Sequence, residues 1–235
     1  MVTSHLIVLL LLCGFPLWDV WEARYLRTSP NPSRKSASYV RVILGLWAVT
    51  FCVLAVVPLH VLLRAPSGES SFLPPLGPEV TPFLVGGLIL GLLAPVVAAV
   101  IPALRTRLLR AMDPMDYLLP RTKPELALFA AVSISAGICE EVIYRGFLMR
   151  YLQGAPWTLG LGGSLLVSSA VFGLAHAGQK VKGVLGTALA GLFLGGLYVV
   201  SGSLVLPILV HAAMDLRALA FAYLRKAHPG DRSTQ

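Results

Sequence analysis

Apolar and polar positions alternate in long blocks along this chain rather than with the short periods of a water-soluble domain. Sustained apolar runs cover about Leu6 to Trp18, Val40 to Leu63, Pro82 to Leu104, Leu126 to Leu152, Leu159 to Ala177, Gly183 to Val200 and Leu204 to Leu224. Each reads as a helix, since a spanning helix needs about 20 predominantly apolar residues. Gly, Pro and Ser punctuate the junctions, at Gly154-Ala155-Pro156, Gly178 and Ser201-Gly202-Ser203. The predicted fold is all-α, a polytopic transmembrane helical bundle of about seven to eight spans.

The first run is short for a span. A cleaved signal peptide would carry a charge before its apolar core and small residues after it, whereas Gly14-Phe15-Pro16-Leu17-Trp18 follows here. We therefore read it as an anchor extended by Trp18, Trp21 and Tyr25 at the interface. Three parts follow: residues 1–124 as amino-terminal spans and cytoplasmic connectors, 125–225 as a second membrane domain, and 226–235 as a cytoplasmic tail.

Composition supports the membrane reading, with 56% hydrophobic residues and only 13% charged and a mean hydropathy of +0.78. The net charge of +8 does not indicate nucleic acid, because the cations sit between apolar runs, where they set topology and contact anionic lipid. Arg24, Arg27, Arg34, Lys35 and Arg41 follow the first run, and Arg105, Arg107, Arg110, Arg121 and Lys123 follow the third. Both clusters are expected in the cytoplasm. The loop from Ala65 to Glu79, with Glu69 and Glu79, belongs on the opposite face, so the amino terminus lies outside and the carboxyl tail, with Arg225, Lys226 and Arg232, in the cytoplasm. The expected location is a bacterial inner membrane. Cys13, Cys52 and Cys139 lack the paired spacing of a disulfide framework or zinc knuckle, and packing roles are expected for them.

Chemistry concentrates in the second half. Glu140-Glu141-Val142-Ile143-Tyr144-Arg145 interrupts an apolar helix, and each charge at membrane depth costs about 2.5–3.5 kcal/mol on insertion scales. Glu141 and Arg145 are four residues apart and can pair, while Glu140 projects about 100° away. One carboxylate is thus neutralised and the other left for a different task. A carboxyl group in an apolar site is the usual general base or acid for work near neutral pH, although a buried ion pair alone would give the same pattern without catalysis. His176 closes the fifth run, in Phe172-Gly173-Leu174-Ala175-His176, and His211 lies four residues before Asp215 in the seventh, on the same face. Pro207 is expected to kink that helix and open a cavity. His60, near a span end, is expected to be a hydrogen-bonded packing element. The glycines at Gly162-Gly163 and from Gly191 to Gly196 are expected to serve close helix packing.

Glu-Glu-x-x-x-Arg at Glu140, Glu141 and Arg145, Phe-x-x-x-His at Phe172 and His176, and His-x-x-x-Asp at His211 and Asp215 occur in this order on successive membrane segments. Together they resemble the motifs of the CPBP family, which comprises CAAX prenyl proteases of the Rce1 type and bacteriocin-processing enzymes and is also called the Abi family. The resemblance covers Leu126 to Leu224. It implies an intramembrane endopeptidase with Glu140 as the water-activating glutamate, Glu141 and Arg145 as its supporting pair, and His176 and His211 completing the site. Asp215 stands where eukaryotic CAAX proteases have asparagine and bacterial relatives often have aspartate. An ionised aspartate cannot donate to an oxyanion; the alternatives are that it orients His211, binds a metal, or donates when protonated.

Two mechanisms stay open. Glu140 activates water directly, or His176, His211 and Glu140 hold a Zn²⁺ whose bound water attacks. The chain lacks His-Glu-x-x-His, so zinc is possible and not required. The implied partners are membrane lipid and a peptide or lipidated protein substrate. The rival class is a non-enzymatic immunity or scaffold protein, or a proton or ion relay using the same charges.

Overall fold

The computed structural model describes residues 2–28, 31–66, 81–111 and 113–227. Most of the loop expected outside, including Glu69 and Glu79, and the tail beyond Ala227, including Arg232, lie outside the described residues. The described residues are helical almost throughout, and nine helices are described: α1 (Val2–Thr28), α2 (Pro32–Val56), α3 (Leu59–Leu62), α4 (Thr81–Val100), α5 (Pro102–Ala111), α6 (Lys123–Gln153), α7 (Leu161–Leu174), α8 (Lys180–Ser201) and α9 (Val205–Ala227). The predicted all-α helical bundle is found, with fewer full-length spans among the described residues than the seven to eight expected. Four of the helices, with α8 counted from Ala177, are long and apolar enough to cross a membrane: α1, α2, α6 and α8. The 14 residues of α7 rise about 21 Å, short of a hydrocarbon core about 30 Å thick.

The amino-terminal half departs most from the expected boundaries. The first helix takes in the whole aromatic extension, Trp18, Trp21 and Tyr25, and runs on to Thr28. Pro16 lies inside it without breaking it, because the preceding turn, Leu10–Gly14, is π-helical and the Phe15 N–H reaches back to the Leu10 carbonyl. The widened turn relieves the clash a proline ring makes with the carbonyl four residues earlier. The second helix starts at Pro32, capped by the Asn31 side chain on Ser33 N–H (3.0 Å), and ends at Val56. Pro58 sets that end, since the residue before a proline is pushed out of the helical region; Val57 has φ −130° and ψ 122°. The cations read as loop therefore belong partly to helices: Arg41 and Lys35 lie in α2. They are tolerated because they are partnered. Glu22 of α1 accepts from Arg41 at 2.7 and 3.0 Å and from Ser38 at 2.7 Å, and Lys35 donates to the Leu119 carbonyl at 2.7 Å.

In the second half, α6 is the central helix, with α2 and α9 packed on it and α7 packed along α8. Trp47 of α2 donates to Ser135 of α6 (3.1 Å). Glycine permits a close crossing of α6 and α9: a Cβ on Gly137 would lie 2.8 Å from the Ala212 Cβ and 2.9 Å from its backbone nitrogen. Pro207 falls in the first turn of α9, where its missing N–H needs no helical partner. The helix therefore loses no hydrogen bond to Pro207 and continues to Ala227. Within α4, Pro95 has no N–H to offer the Gly91 carbonyl four residues back, and Arg217 of α9 donates to that oxygen instead. At the other end of the bundle an isolated bridge joins Arg64 to Ser203, and the Tyr198 hydroxyl donates to the Leu62 carbonyl at 2.9 Å.

The core is centred on Ile143, Tyr144, Leu148, Met149, Phe172 and Tyr198. Leu6, Leu17, Leu44, Phe51, Leu90 and Leu189 are more than half exposed, an apolar outer surface suited to lipid. Cys139 is buried, but Cys13 and Cys52 face outward, so the packing role holds for one cysteine of three. His60 is exposed on α3 and does not pack.

Candidate active site

The charged stretch of α6 sits where the helix widens. Glu141–Leu148 is π-helical, closing with the Met149 N–H on the Tyr144 carbonyl, and every residue of it is buried. Such widenings recur at functional sites because they shift side chains relative to the regular helix. Ser168 of α7 donates to the same Tyr144 carbonyl at 2.8 Å, satisfying an acceptor in a segment where water is excluded.

Glu141 and Arg145 pair as their spacing predicts. Arg145 Nη1 donates to Glu141 Oε1 at 2.8 Å, and its Nη2 donates to the Gly191 carbonyl of α8 at 3.2 Å. Gly191, expected only to permit packing, thus also supplies an acceptor. The Arg145 guanidinium lies 4.4 Å from the centre of the Phe172 ring, a cation–π contact strengthened by the absence of water. The side chains of Glu141 and Arg145 are 0% and 2% exposed, so neither charge is solvated and each depends on the other.

His211 of α9 is tied to this pair. Its Nδ1 lies 2.7 Å from Glu141 Oε1. A carboxylate only accepts, so Nδ1 carries the proton and Nε2 is turned away from Glu141. Nε2 lies 3.6 Å from Glu140 Oε2 and 3.8 Å from Asp215 Oδ2. These separations exceed a hydrogen bond. The three carboxylates around one imidazole therefore divide in two: Glu141 is fully buried and holds the ring, while Glu140 and Asp215, 13% and 40% exposed, flank its free nitrogen.

His176 comes from the end of α7. The helix stops at Leu174, and His176 (φ −106°, ψ 32°) opens a short turn, Ala177–Gln179. Its Nδ1 donates to the Phe172 carbonyl at 2.9 Å, which leaves Nε2 as the open nitrogen. Phe172 lies edge-on to both imidazoles, with ring centres 5.0 Å from His176 and 5.8 Å from His211. It is a shared wall for two histidines rather than for one.

Glu140, His176, His211 and Asp215 line one cavity of about 450 Å³. It is bounded by α1, α2, α6, α8 and α9 and by the connector before α6, and apolar side chains such as Phe129, Val132 and Leu194 make much of its wall. Tyr117 of the connector contributes to the lining; burial pushes its hydroxyl above the usual tyrosine range, so it stays neutral. All six residues singled out in the sequence are brought together here, the four above at the cavity and Glu141 with Arg145 behind His211. Two carboxylates were missed. Asp19 and Glu22 of α1 line the same cavity, and also a smaller one of about 120 Å³ shared with Glu140 and His176. The signal that could have found them is an acidic pair four residues or fewer apart directly after an apolar run.

The described side chains do not form a ready metal site. A catalytic zinc requires three N or O donors about 2.0–2.2 Å from one point, and among the described residues no three His, Cys, Asp or Glu side chains are grouped to hold a metal ion.

Residues 122–217 match the family model described as type II CAAX prenyl endopeptidase, Rce1-like. The matched segment is less than half of the chain and contains Glu140, Glu141, Arg145, His176, His211 and Asp215. No curated protein and no solved structure matches the chain significantly.

Proposed function

We propose, on the premise that residues 122–217 are an Rce1-like domain of the type II CAAX prenyl endopeptidase family, that this protein is an intramembrane endopeptidase hydrolysing a peptide bond of a membrane-associated protein or peptide. The observation that carries the reading is the division of labour around His211. One carboxylate of the Glu140–Glu141 pair is consumed in holding the ring, at 2.7 Å, and the other is left facing a cavity, 3.6 Å from the ring's open nitrogen.

In the reaction that follows, a water held beside Glu140 loses a proton to its carboxylate as the water oxygen attacks the scissile carbonyl carbon. The oxyanion that develops is stabilised by His211: when the ring has taken up a second proton, Nε2–H points toward the cavity and donates to it. Glu140 returns the proton to the departing nitrogen as the C–N bond breaks. His176, with Nδ1 fixed on the Phe172 carbonyl, presents Nε2 to the same space and orients water or the substrate carbonyl. Asp215, with Oδ2 3.8 Å from the open nitrogen of His211, places a second carboxylate beside the position where that nitrogen carries its proton. Arg145 touches no substrate and keeps Glu141 in place. Surrounding the reaction with apolar wall strengthens every one of these interactions.

The cavity's apolar lining fits a peptide presented with a lipid anchor. The charge distribution along the chain supports an amino terminus outside and cationic connectors in the cytoplasm, in an inner membrane of bacterial type.

The deciding experiment is cleavage of a mixed pool of membrane-tethered and prenylated peptides by the purified, lipid-reconstituted protein, read by mass spectrometry, with Glu140→Gln and a chelator in parallel. Products that vanish in Glu140→Gln and survive the chelator support the glutamate mechanism, whereas loss on chelation with recovery on adding Zn²⁺ would transfer it to a metal. Products that persist in Glu140→Gln, or none from the wild type, would favour the immunity, scaffold or relay reading.

A further inference from the structure

We infer that the first helix, which lies outside the Rce1-like segment, is part of the catalytic apparatus: Asp19 and Arg27 clamp the two peptide groups at Gly178 and so position His176. The inference rests on the proposed protease reading for the role of His176, and on the geometry alone for the clamp.

The turn that carries His176 has few restraints of its own. The His176 N–H donates to the Gly173 carbonyl, and its carbonyl accepts from Gln179, both at 3.0 Å. These bonds are local and would travel with the turn. The long-range restraints come from α1. Asp19 Oδ2 accepts the Gly178 N–H at 2.7 Å, and Arg27 donates to the Gly178 carbonyl at 2.8 Å. Opposite charges thus take the donor and the acceptor of one residue, each in a charge-assisted bond of the stronger kind. Arg27 is itself held, with its guanidinium 4.3 Å from the centre of the Tyr117 ring.

Two independent features show that the turn is fitted to α1. A Cβ at Gly178 would lie 2.7 Å from the Asp19 backbone oxygen and 2.8 Å from the Ala23 Cβ, so only glycine allows this approach. Lys180, at the end of the turn, has φ 63° and ψ −179°, a conformation almost confined to glycine that persists only where the surroundings over-determine it. The contacts to α1 supply that determination. Asp19 also lines both cavities together with His176, so its loss would be felt at the imidazole itself. Asp19 and Arg27 are positioning residues; neither is assigned contact with the reacting atoms.

The test uses the full-length protein in lipid nanodiscs, with Asp19→Ala, which removes the acceptor, and Asp19→Asn, which keeps an oxygen for the Gly178 N–H. On a peptide the wild type cleaves, Asp19→Ala lowers kcat about tenfold or more with KM nearly unchanged, in line with the loss of an orienting partner, and Asp19→Asn recovers most of it. In ¹⁵N-histidine spectra, the ring signals of His176, identified by their loss in His176→Gln, move in Asp19→Ala while those of His211 stay. Wild-type kcat in Asp19→Ala together with an unmoved His176 signal overturns the clamp and leaves the protease reading intact. Should the wild type cleave nothing, the protease reading fails, and the His176 signal alone decides for or against the clamp. If Asp19→Ala does not fold, Arg27→Met, with Arg27→Lys as its conservative control, is judged by the same two readouts.

Discussion

Oε1 of Glu141 receives both the Arg145 guanidinium, at 2.8 Å, and His211 Nδ1, at 2.7 Å. One oxygen thereby joins two helices of the bundle and fixes which nitrogen of His211 faces the cavity. Its sister atom, Oε2, is buried with no hydrogen-bond partner among the described residues, so the hydrogen bonds of this carboxylate all fall on one oxygen. Removing Arg145 would strand that charge. Arg145→Ala should destabilise the folded protein by about 3–5 kcal/mol, the range for breaking one partner of a buried pair. Arg145→Lys should rescue little, because a single ammonium cannot bond Glu141 and the Gly191 carbonyl from one planar fork. Thermal unfolding in detergent, followed by tryptophan fluorescence, measures both.

Glu140 makes no such bond, and its replacement should separate stability from activity. Glu140→Gln keeps the shape of the side chain and removes the base. Cleavage should fall by about 10²–10⁴-fold, the usual contribution of a general base, with thermal stability close to that of the wild type. Glu140→Asp, one methylene shorter, should also lose most activity, since the carboxylate would withdraw from the space beside His211. A proton relay would tolerate the shortening better. Single-turnover cleavage of both variants distinguishes the two.

Much of the site could be read from spacing because helices convert sequence intervals into faces. Four residues separate Glu141 from Arg145 and His211 from Asp215, and each pair shares a face as expected. The pairing between helices could not be read in this way. That Glu141, and not Glu140, holds His211 depends on the π-helical widening after Glu140, which no residue pattern announces. Asp19 and Glu22 were passed over for a different reason. They stand among cations and aromatic residues that look like an interface, and their hydrogen bonds are completed by Arg41, Ser38 and Gly178 from elsewhere in the chain, which no local spacing shows. The end of α2 at Val56 followed from Pro58, but an apolar run extending past it concealed the break.

His211 should be separable from His176 by its structural burden. His211→Ala removes the donor to Glu141 and leaves a buried carboxylate with Arg145 alone, so loss of activity should be accompanied by a stability loss of about 1–3 kcal/mol, the cost of an unsatisfied buried group. In His176→Ala the vacated partner is the Phe172 carbonyl at the end of a helix, and activity should fall with a smaller change in stability. Unfolding midpoints and cleavage rates of the two variants check the contrast.

Gly137 offers a test that touches no ionisable group. It lies three residues before Glu140 on α6 and faces Ala212, the neighbour of His211, with the hypothetical Cβ 2.8 Å from the Ala212 Cβ and 3.0 Å from its Cα. Two of the nearest atoms are backbone, so no side-chain rotation can make room, and Gly137→Ala must move α9 away from α6. Overpacking of this kind costs about 1–3 kcal/mol. The same displacement lengthens the His211–Glu141 bond and the gap from His211 to Glu140, and a shift approaching 1 Å can cost about 10²-fold in rate. Gly137→Ala is therefore expected to fold, to melt earlier and to cleave far more slowly, with KM less affected than kcat. Normal cleavage in that variant would mean that the separation of α6 and α9 at this level does not govern the reaction, and that the contact between His211 and the glutamates is not where the rate is set.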